Sequence, residues 1–272
     1  MVGRILLSAG VLVFACAGTV YAADDDDKRI AKALQDNSFL VEEAYNQEPG
    51  VVQHILNMRK QGRDFALVFT QEWPILSQTH QFSYSIPYGR LRSGNQRASG
   101  IGDVFLNYRY QAMTETMTRP AFAPRVSFIV PSGDETRGLG DGSTGLQFNL
   151  PFSKIVSDRV TVHANLGYTR MFDIQGFSTN NHFAGGSMIY AASRVLNFML
   201  EGLHSWSQEV DAGAIARERS FTLSPGVRYA FNLEAGQLVI GVGAPVVFTS
   251  NQPTSYGATL YLSFEHSFLG KK

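Results

Sequence analysis

The 272-residue sequence has one cysteine, Cys16, and no excess of either charge, with 23 basic and 23 acidic residues. The even charge excludes the strongly basic composition of most nucleic-acid binders, so no nucleic-acid partner is expected. A hydrophobic fraction of 44% is too high for a disordered chain. After residue 22 there is no run of about eighteen apolar residues, which excludes an α-helical membrane protein.

The sequence also has little that indicates catalysis or metal binding. Its six histidines lack the spacing of metal ligands, so neither a metal nor a cofactor is expected. The glycine-rich residues 138–143 resemble a phosphate loop only superficially, because the lysine and the strand-to-helix context are missing. His204 followed by Ser205 is the nearest approach to a base beside a nucleophile. We expect no enzyme.

The one long apolar run lies at the amino terminus, where Arg4 precedes apolar residues 5–13 and small residues that lead to Ala22. This order is typical of a secretory signal peptide over residues 1–22, with cleavage after Ala22 or Ala23. Cys16 would leave with the signal, so the mature chain would contain no thiol. The alternative is a lipidated Cys16, although the preceding Phe14 is bulky for that motif.

Residues 256–268 show most plainly what each face of the folded chain contacts. Leu260, Leu262 and Phe264 alternate with polar residues such as Ser263 and Glu265. Successive side chains of a strand point to opposite faces, so this segment has one apolar wall and one polar wall. It is also as long as a tilted strand that crosses a bilayer, which needs about nine to eleven residues.

Similar segments recur along the chain and predict about twelve strands, an even number as in bacterial barrels. They cover residues 51–59, 64–73, 80–88, 102–112, 123–130, 145–152, 160–172, 182–192, 197–207, 220–231, 237–249 and 256–268. In hydrocarbon every backbone donor needs a partner, so spanning strands must close into a barrel. We therefore predict an all-β fold, a closed antiparallel up-and-down transmembrane β-barrel over residues 51–268. A soluble lipocalin-like barrel or sandwich is the alternative, with its apolar face inside.

Polar, glycine-containing connections predict four long outer loops. They are residues 89–101, 131–144, 173–181 and 208–219. Short inner turns are predicted between them, as a meander requires. One outer loop contains Arg90, Arg92 and Arg97 without any acid. These arginines are candidates for binding lipid phosphates, and a plain solvated loop is the alternative.

Residues 23–50 form a leader between the signal and the first strand. Their apolar residues are spaced more like a helix than a strand, and Asp36, Asn37 or Ser38 could cap a short second turn. The leader is either a periplasmic lead-in or a plug tucked into the barrel mouth. The plug candidates are Phe39, Glu42, Glu43 and Tyr45.

Residues 37–48, read as NSFLVEEAYNQE, and residues 50–55, read as GVVQHI, carry a more specific signal. Together they resemble the opening signature of outer-membrane barrels assigned to the meta-pathway of phenol degradation. The resemblance is close over these residues and extends over the rest of the chain in pattern only. It implies an outer-membrane barrel associated with uptake of small, often aromatic, compounds.

Parity within the strands directs a set of charged residues into the lumen. The set consists of Asp103, Arg109, His163, Glu201, Arg228 and Glu265. They could form a narrow polar constriction that selects solutes by size and charge. Alternatively, they pair with one another and with Arg125 across a largely blocked lumen, because a barrel of twelve strands lies between the filled and the open sizes.

The leading hypothesis is a monomeric outer-membrane channel, or porin-like transporter, for passive uptake of small molecules, aromatic ones included. Its expected partners are outer-membrane lipids, the barrel-insertion machinery and the solute. The first alternative is a structural or interaction barrel with a closed lumen. The second is an outer-membrane lipid hydrolase, for which His204 and Ser205 lack the family pattern His-x-Ser-Asn-Gly.

Overall fold

The computed structural model describes residues 29–93, 96–211, 213–250 and 252–268. In this part of the chain one antiparallel sheet closes on itself, because the first strand pairs with both the second and the last. The strand segments are β1 (Val51–Gln61), β2 (Asp64–Ile75), β3 (Ser77–Ser93), β4 (Gln96–Ile101), β5 (Val104–Tyr110), β6 (Ala121–Phe122), β7 (Arg125–Val130), β8 (Gly145–Ile155), β9 (Val160–Ile174), β10 (Phe177–Ala191), β11 (Leu196–Asp211), β12 (Ala214–Leu233), β13 (Gly236–Gly243), β14 (Val246–Thr249) and β15 (Ser255–Ser267).

These segments make a wall of twelve strands, because three strands are interrupted. β4 and β5 both pair with β3, β6 and β7 both pair with β8, and β13 and β14 both lie between β12 and β15. Two of the breaks fall at Pro124 and Pro245, where the missing N–H cannot join the ladder. The prediction of a twelve-stranded closed antiparallel barrel is confirmed.

The predicted signal peptide of residues 1–22, including Cys16, lies outside the described residues.

The two faces of the wall differ as the sequence pattern predicts. In β5, Leu106, Tyr108 and Tyr110 are 38 to 43% exposed on the outside, whereas Asn107 and Arg109 are at most 4% exposed on the inside. Large apolar side chains are exposed around the barrel, for example Phe128, Leu166 and Leu200. A water-soluble monomer rarely has so extensive an apolar surface, so this exterior is suited to lipid. The alternative of an inward apolar face is wrong.

The predicted outer loops are mostly strand, and three of the four predictions are wrong in this respect. Residues 89–93 continue β3 and residues 96–101 form β4. Residues 173–181 extend β9 and β10, and residues 208–211 and 214–219 extend β11 and β12. Polar side chains do not prevent strand pairing where the barrel projects beyond the membrane, because water solvates both faces there. Residues 131–144 do form an irregular outer loop, with a 3-10 turn at Glu135–Arg137.

We call the barrel end that carries the start of β1 and the end of β15 the inner end. There Phe268 N donates a hydrogen bond of 2.9 Å to Gly50 O. The leader was predicted to be helical, and this prediction is wrong. Within residues 29–50 the single helical element is a 3-10 turn at Ile30–Lys32, and Asp36, Asn37 and Ser38 cap no second turn. No helix within the described residues is long and apolar enough to span a membrane.

Candidate functional site in the barrel lumen

The leader passes through the barrel lumen instead of lying outside it. Along residues 36–47 most side chains are buried, although the segment has no regular secondary structure. A chain without regular structure must satisfy its backbone groups elsewhere when it is buried. In this protein the inward-facing side chains of the wall do so, and they include three of the six charged residues predicted to face the lumen, Arg109, Glu201 and Arg228.

Glu201 of β11 binds three successive backbone N–H groups of the leader. Its Oε1 accepts hydrogen bonds from Leu40 N at 2.8 Å and Val41 N at 3.3 Å, and its Oε2 accepts one from Phe39 N at 3.2 Å. Bonds to a charged acceptor are among the stronger ones in proteins. A carboxylate that is 1% exposed is thereby supplied with donors.

Arg228 of β12 binds the leader's carbonyl groups in the complementary way. Its Nη1 donates to Asp36 O at 2.8 Å and Asn37 O at 2.9 Å, and its Nη2 donates to Leu34 O at 3.3 Å. Tyr261 Oη donates to Asp36 Oδ1 at 2.6 Å from β15. Strands from one side of the barrel thus fix the first half of the leader.

Arg109 of β5 holds the second half. Its Nε donates to Asn46 Oδ1 at 2.9 Å, its Nη1 to Glu43 O at 3.2 Å and its Nη2 to Tyr45 O at 2.9 Å. The same Nη2 lies 3.6 Å from Glu72 Oε2. The planar guanidinium thus serves both a wall carboxylate and the leader backbone.

Uncharged side chains complete this set of hydrogen bonds. Asn165 Oδ1 accepts from Glu42 N at 2.8 Å, and Ser153 Oγ accepts from Ala44 N at 2.7 Å. Further along, Gln81 Oε1 accepts from Gln47 N at 2.8 Å. The sequence reasoning missed these amides and hydroxyls, although each occupies an inward position of an alternating strand.

Phe39 is the apolar anchor of the leader. Its ring is 4% exposed and packs 5.5 Å from the Tyr261 ring within a cluster of buried apolar residues. A Cβ added at Gly226 or Gly241 would come within 2.6 Å of this ring. Glycines of β12 and β13 therefore leave the recess that admits the phenyl group.

Glu42 and Arg125 of β7 form an ion pair next to open space. Arg125 Nη2 lies 2.7 Å from Glu42 Oε1, and Arg125 Nε donates to Glu42 Oε2 at 3.0 Å. Arg125 also donates to Asn107 and Gln147 of the wall, both at 2.9 Å. Arg125 was predicted to pair with the six charged lumen residues; in the structure its ion-pair partner is Glu42 of the leader.

The leader is not itself a membrane-spanning strand, and the pKa values of its acidic groups are shifted in opposite directions. Burial, together with the charge of Asp36, raises the pKa of Glu43 to about 8. Burial also raises the pKa of Asp36, although Arg228 opposes it. Burial acts in the same direction on Glu42, but Arg125, together with Arg109 and Asn149, outweighs it, so the pKa of that carboxyl is lowered. Within the described chain, Asp36 Oδ2 and Glu43 Oε2 accept no hydrogen bond.

Two further lumen candidates lie around the leader. His163 Nδ1 lies 2.6 Å from Ser153 Oγ, and its ring meets Tyr45 edge-on at 6.4 Å. Glu265 is in register with Gln53 near the inner end, and among the described residues it is not a hydrogen-bond partner of the leader. His163 therefore supports the leader through Ser153, whereas Glu265 does not bond to it.

Asp103 is a tether for the outer loop of residues 131–144. Its Oδ1 accepts from Gly133 N at 2.9 Å, and its Oδ2 accepts from Asp141 N at 2.8 Å. The loop is thereby folded over the mouth of the lumen. Burial and the charge of Asp103 raise the pKa of Asp141 in this loop.

Cavities lie on the outer side of the leader. One of about 490 Å³ rests on leader residues 37–42, and a second of about 490 Å³ lies beneath the outer loop. They share Ala66, Phe105 and Gln147 in their linings. A third cavity, of about 580 Å³, reaches the outer hairpins. On the inner side, the space between the leader and His163 is only about 10 Å³.

The three arginines predicted to bind lipid lie on the outer hairpin of β3 and β4. Arg90 is exposed and lies over the Phe65 ring at 5.5 Å, on the lipid-facing side of the wall. Arg97 is exposed as well, and its backbone is in register with Arg92. The three arginines therefore lie on two paired strands and not in a loop.

His204 and Ser205 do not form a catalytic pair. They are neighbours in a strand, so their side chains point to opposite faces. His204 stacks on Trp206 at 4.0 Å between ring centroids, on the outside of the wall. In the described part of the chain no three His, Cys, Asp or Glu residues are placed to hold a metal.

A closed twelve-stranded barrel with an apolar exterior and a polar, partly filled lumen defines a transmembrane β-barrel of the outer-membrane type. The family model described as "Putative MetA-pathway of phenol degradation" matches residues 52–260, and the chain belongs to this family. The resemblance inferred from the sequence is thus confirmed.

Several solved barrel structures match this chain in a structural comparison. An outer membrane channel from Pseudomonas putida F1 superposes with a TM-score of 0.66 at 14% identity, over 85% of this chain and 99% of that one. The NanC porin gives 0.47 at 12% identity, over 78% of this chain and 98% of that one. The translocator domain of NalP from Neisseria meningitidis also gives 0.47 at 12% identity, over 90% and 96%. No curated protein matches the sequence.

Proposed function

We propose that the protein is a monomeric channel of the outer membrane through which small molecules, aromatic ones included, diffuse passively. The supporting observation is the series of cavities of about 490 to 580 Å³ between the outer hairpins and the leader, with a space of about 10 Å³ between the leader and His163. The family's description agrees with this function, and the similar barrel from Pseudomonas putida F1 is itself an outer membrane channel. No step of such diffusion requires catalysis or a cofactor.

The leader acts as the plug of this channel, and Phe39, Glu42, Glu43 and Tyr45 are the residues that close it. Glu201, Arg228 and Arg109 hold the segment by its backbone, so they position the plug independently of its own side chains. Passage to the inner side requires the leader to move. Asp103 acts at the other end by holding the outer loop over the entrance.

The domain organisation completes this proposal. Residues 1–22 are a cleaved signal peptide that directs export, residues 23–50 are the leader, and residues 51–268 are the barrel, which the barrel-insertion machinery of a Gram-negative-type envelope assembles. Arg90, Arg92 and Arg97 contact lipid phosphates at the outer rim.

A barrel with a permanently closed lumen and a structural role is the second candidate. It is favoured by the number of hydrogen bonds on the leader, because Glu201 and Arg228 accept or donate three each. Single-channel recording of the full-length protein in planar bilayers, with swelling of liposomes in phenol or benzyl alcohol, separates the two. Openings and solute entry support the channel; their absence at every voltage and pH, for protein shown to be folded, contradicts it.

A further inference from the structure

Among the charged groups that line the cavity on the leader, Arg59 of β1 is the one without a direct partner in the described residues. The strand directs Arg59 inward, in parity with Asn57, whose Nδ2 donates to Phe39 O at 2.9 Å. Within the described part of the chain, no hydrogen bond or ion pair joins the Arg59 guanidinium to a protein group.

The other charged groups of this lining have partners. Glu42 is paired with Arg125, and Glu72 lies 3.6 Å from Arg109. Glu201 is the acid whose charge acts on Arg59, but its two oxygens accept the three N–H groups of the leader. An unpaired guanidinium facing a partly enclosed cavity favours an anionic ligand.

The remaining lining of the cavity is suited to an aromatic ring. Phe105 stands on the wall between the two cavities, and Ile55, Val68 and Ala66 add apolar surface. A ring can lie against the face or edge of Phe105, as aromatic pairs do. The volume of about 490 Å³ falls in the usual range of small-molecule sites.

We propose that the cavity on the leader is a binding site for small aromatic carboxylates, with the carboxylate at Arg59 and the ring against Phe105. This site rests on the proposed channel function and specifies its solute class. A phenol is neutral at pH 7 and cannot form the ion pair, so the site distinguishes aromatic acids from neutral aromatics of the same size.

The test is calorimetric titration of the purified full-length protein in detergent with benzoate, benzyl alcohol and acetate. Benzoate should bind at least about tenfold more tightly than either of the others, because only benzoate has both the charge and the ring. Arg59→Gln should weaken benzoate binding about tenfold or more and leave benzyl alcohol unchanged. Phe105→Ala should weaken both aromatic ligands.

Lys60→Gln is the matched control, since the neighbouring Lys60 is exposed on the outer face and should not affect any ligand. Folding of each variant is verified by its heat-dependent mobility on gels. Equal affinity for benzoate and benzyl alcohol, or an unchanged benzoate affinity in folded Arg59→Gln, overturns the site. Liposome swelling in benzyl alcohol tests the channel separately: entry of this neutral solute without a benzoate preference would overturn the site alone.

Discussion

The guanidinium of Arg125 holds the carboxylate of Glu42 with two hydrogen bonds, of 2.7 and 3.0 Å, at the surface of the cavity on the leader. Glu42 is the more exposed partner, with 34% of its side chain accessible, so this ion pair between leader and wall is open to the cavity. The deeper contacts at Arg228 and Glu201 are fully enclosed. If the leader moves in the proposed channel, Glu42 is therefore the contact expected to open first.

Glu42→Gln should loosen the leader without removing its backbone hydrogen bonds. The amide retains one hydrogen bond to Arg125 and loses the charge, so we expect openings in planar bilayers to become several times more frequent, in line with the modest worth of a partly exposed pair. Glu48→Gln, on the exposed stretch before β1, is the control. Equal opening frequencies in all three proteins would show that this ion pair does not hold the leader.

The position of the leader should depend on pH through Glu43. Its pKa is about 8 when the leader is docked and near the ordinary value of 4.5 once the side chain reaches water. Docking of the leader therefore takes up a proton when the pH lies between these two pKa values. Glu43 contributes fully to the stability of the docked leader below about pH 4.5, and this contribution is lost as the pH rises to about 8.

Conductance should accordingly increase from pH 5 to pH 8 and level off above it. Glu43→Gln removes this titrating group while keeping a neutral side chain of the same shape. A channel whose pH profile is the same with and without the substitution would contradict the assignment to Glu43.

Filling the recess of Phe39 should displace the leader. Gly241→Val places methyl groups where a Cβ alone would lie 2.6 Å from the phenyl ring, so the ring cannot occupy its present position. We expect the leader to become accessible to added protease while the barrel stays folded. Gly202→Ala is the control, because its new Cβ would lie 3.5 Å from the nearest atom, an ordinary contact.

The basic outer hairpin should contribute to lipid affinity. Replacing Arg90 and Arg97 together by Gln removes two exposed guanidinium groups from the outer rim. Binding to vesicles that contain anionic phosphate headgroups should fall about threefold to thirtyfold at low salt, and less at high salt. Arg119→Gln, on the inner connection, should have no effect. Identical binding by the double variant would leave these arginines as solvated groups only.

Alternation made the barrel predictable from sequence, because one parity meets lipid and the other meets the lumen. Arg109 of β5 was assigned to the lumen on that basis alone, and its neighbour Tyr108 lies on the outside, as the alternation requires. The outer hairpins were mistaken for loops, because beyond the membrane both faces are polar. In these hairpins apolar and polar residues no longer alternate, but the strands remain paired, for example at Arg92 and Arg97.

The course of the leader could not be derived in the same way. It has no period, since its backbone bonds to side chains such as Glu201 and Asn165 that lie far away in sequence. Those side chains come together only when the sheet closes. Inward parity did identify Arg109, Glu201 and Arg228 as lumen residues, but not that each would hold the leader.

The most direct test of a channel closed by its leader is to fix the leader to the wall. Ser38 Oγ lies 2.7 Å from Ser187 Oγ of β10, so cysteines at both positions can form a disulfide. Cysteines in place of Thr70 and Ser85, whose oxygens lie 2.8 Å apart on β2 and β3, join two wall strands and leave the leader free. In planar bilayers, the oxidised Ser38→Cys, Ser187→Cys protein should show no openings, and reduction should restore the conductance of the wall-linked control. Unchanged conductance in the oxidised protein would contradict closure by the leader.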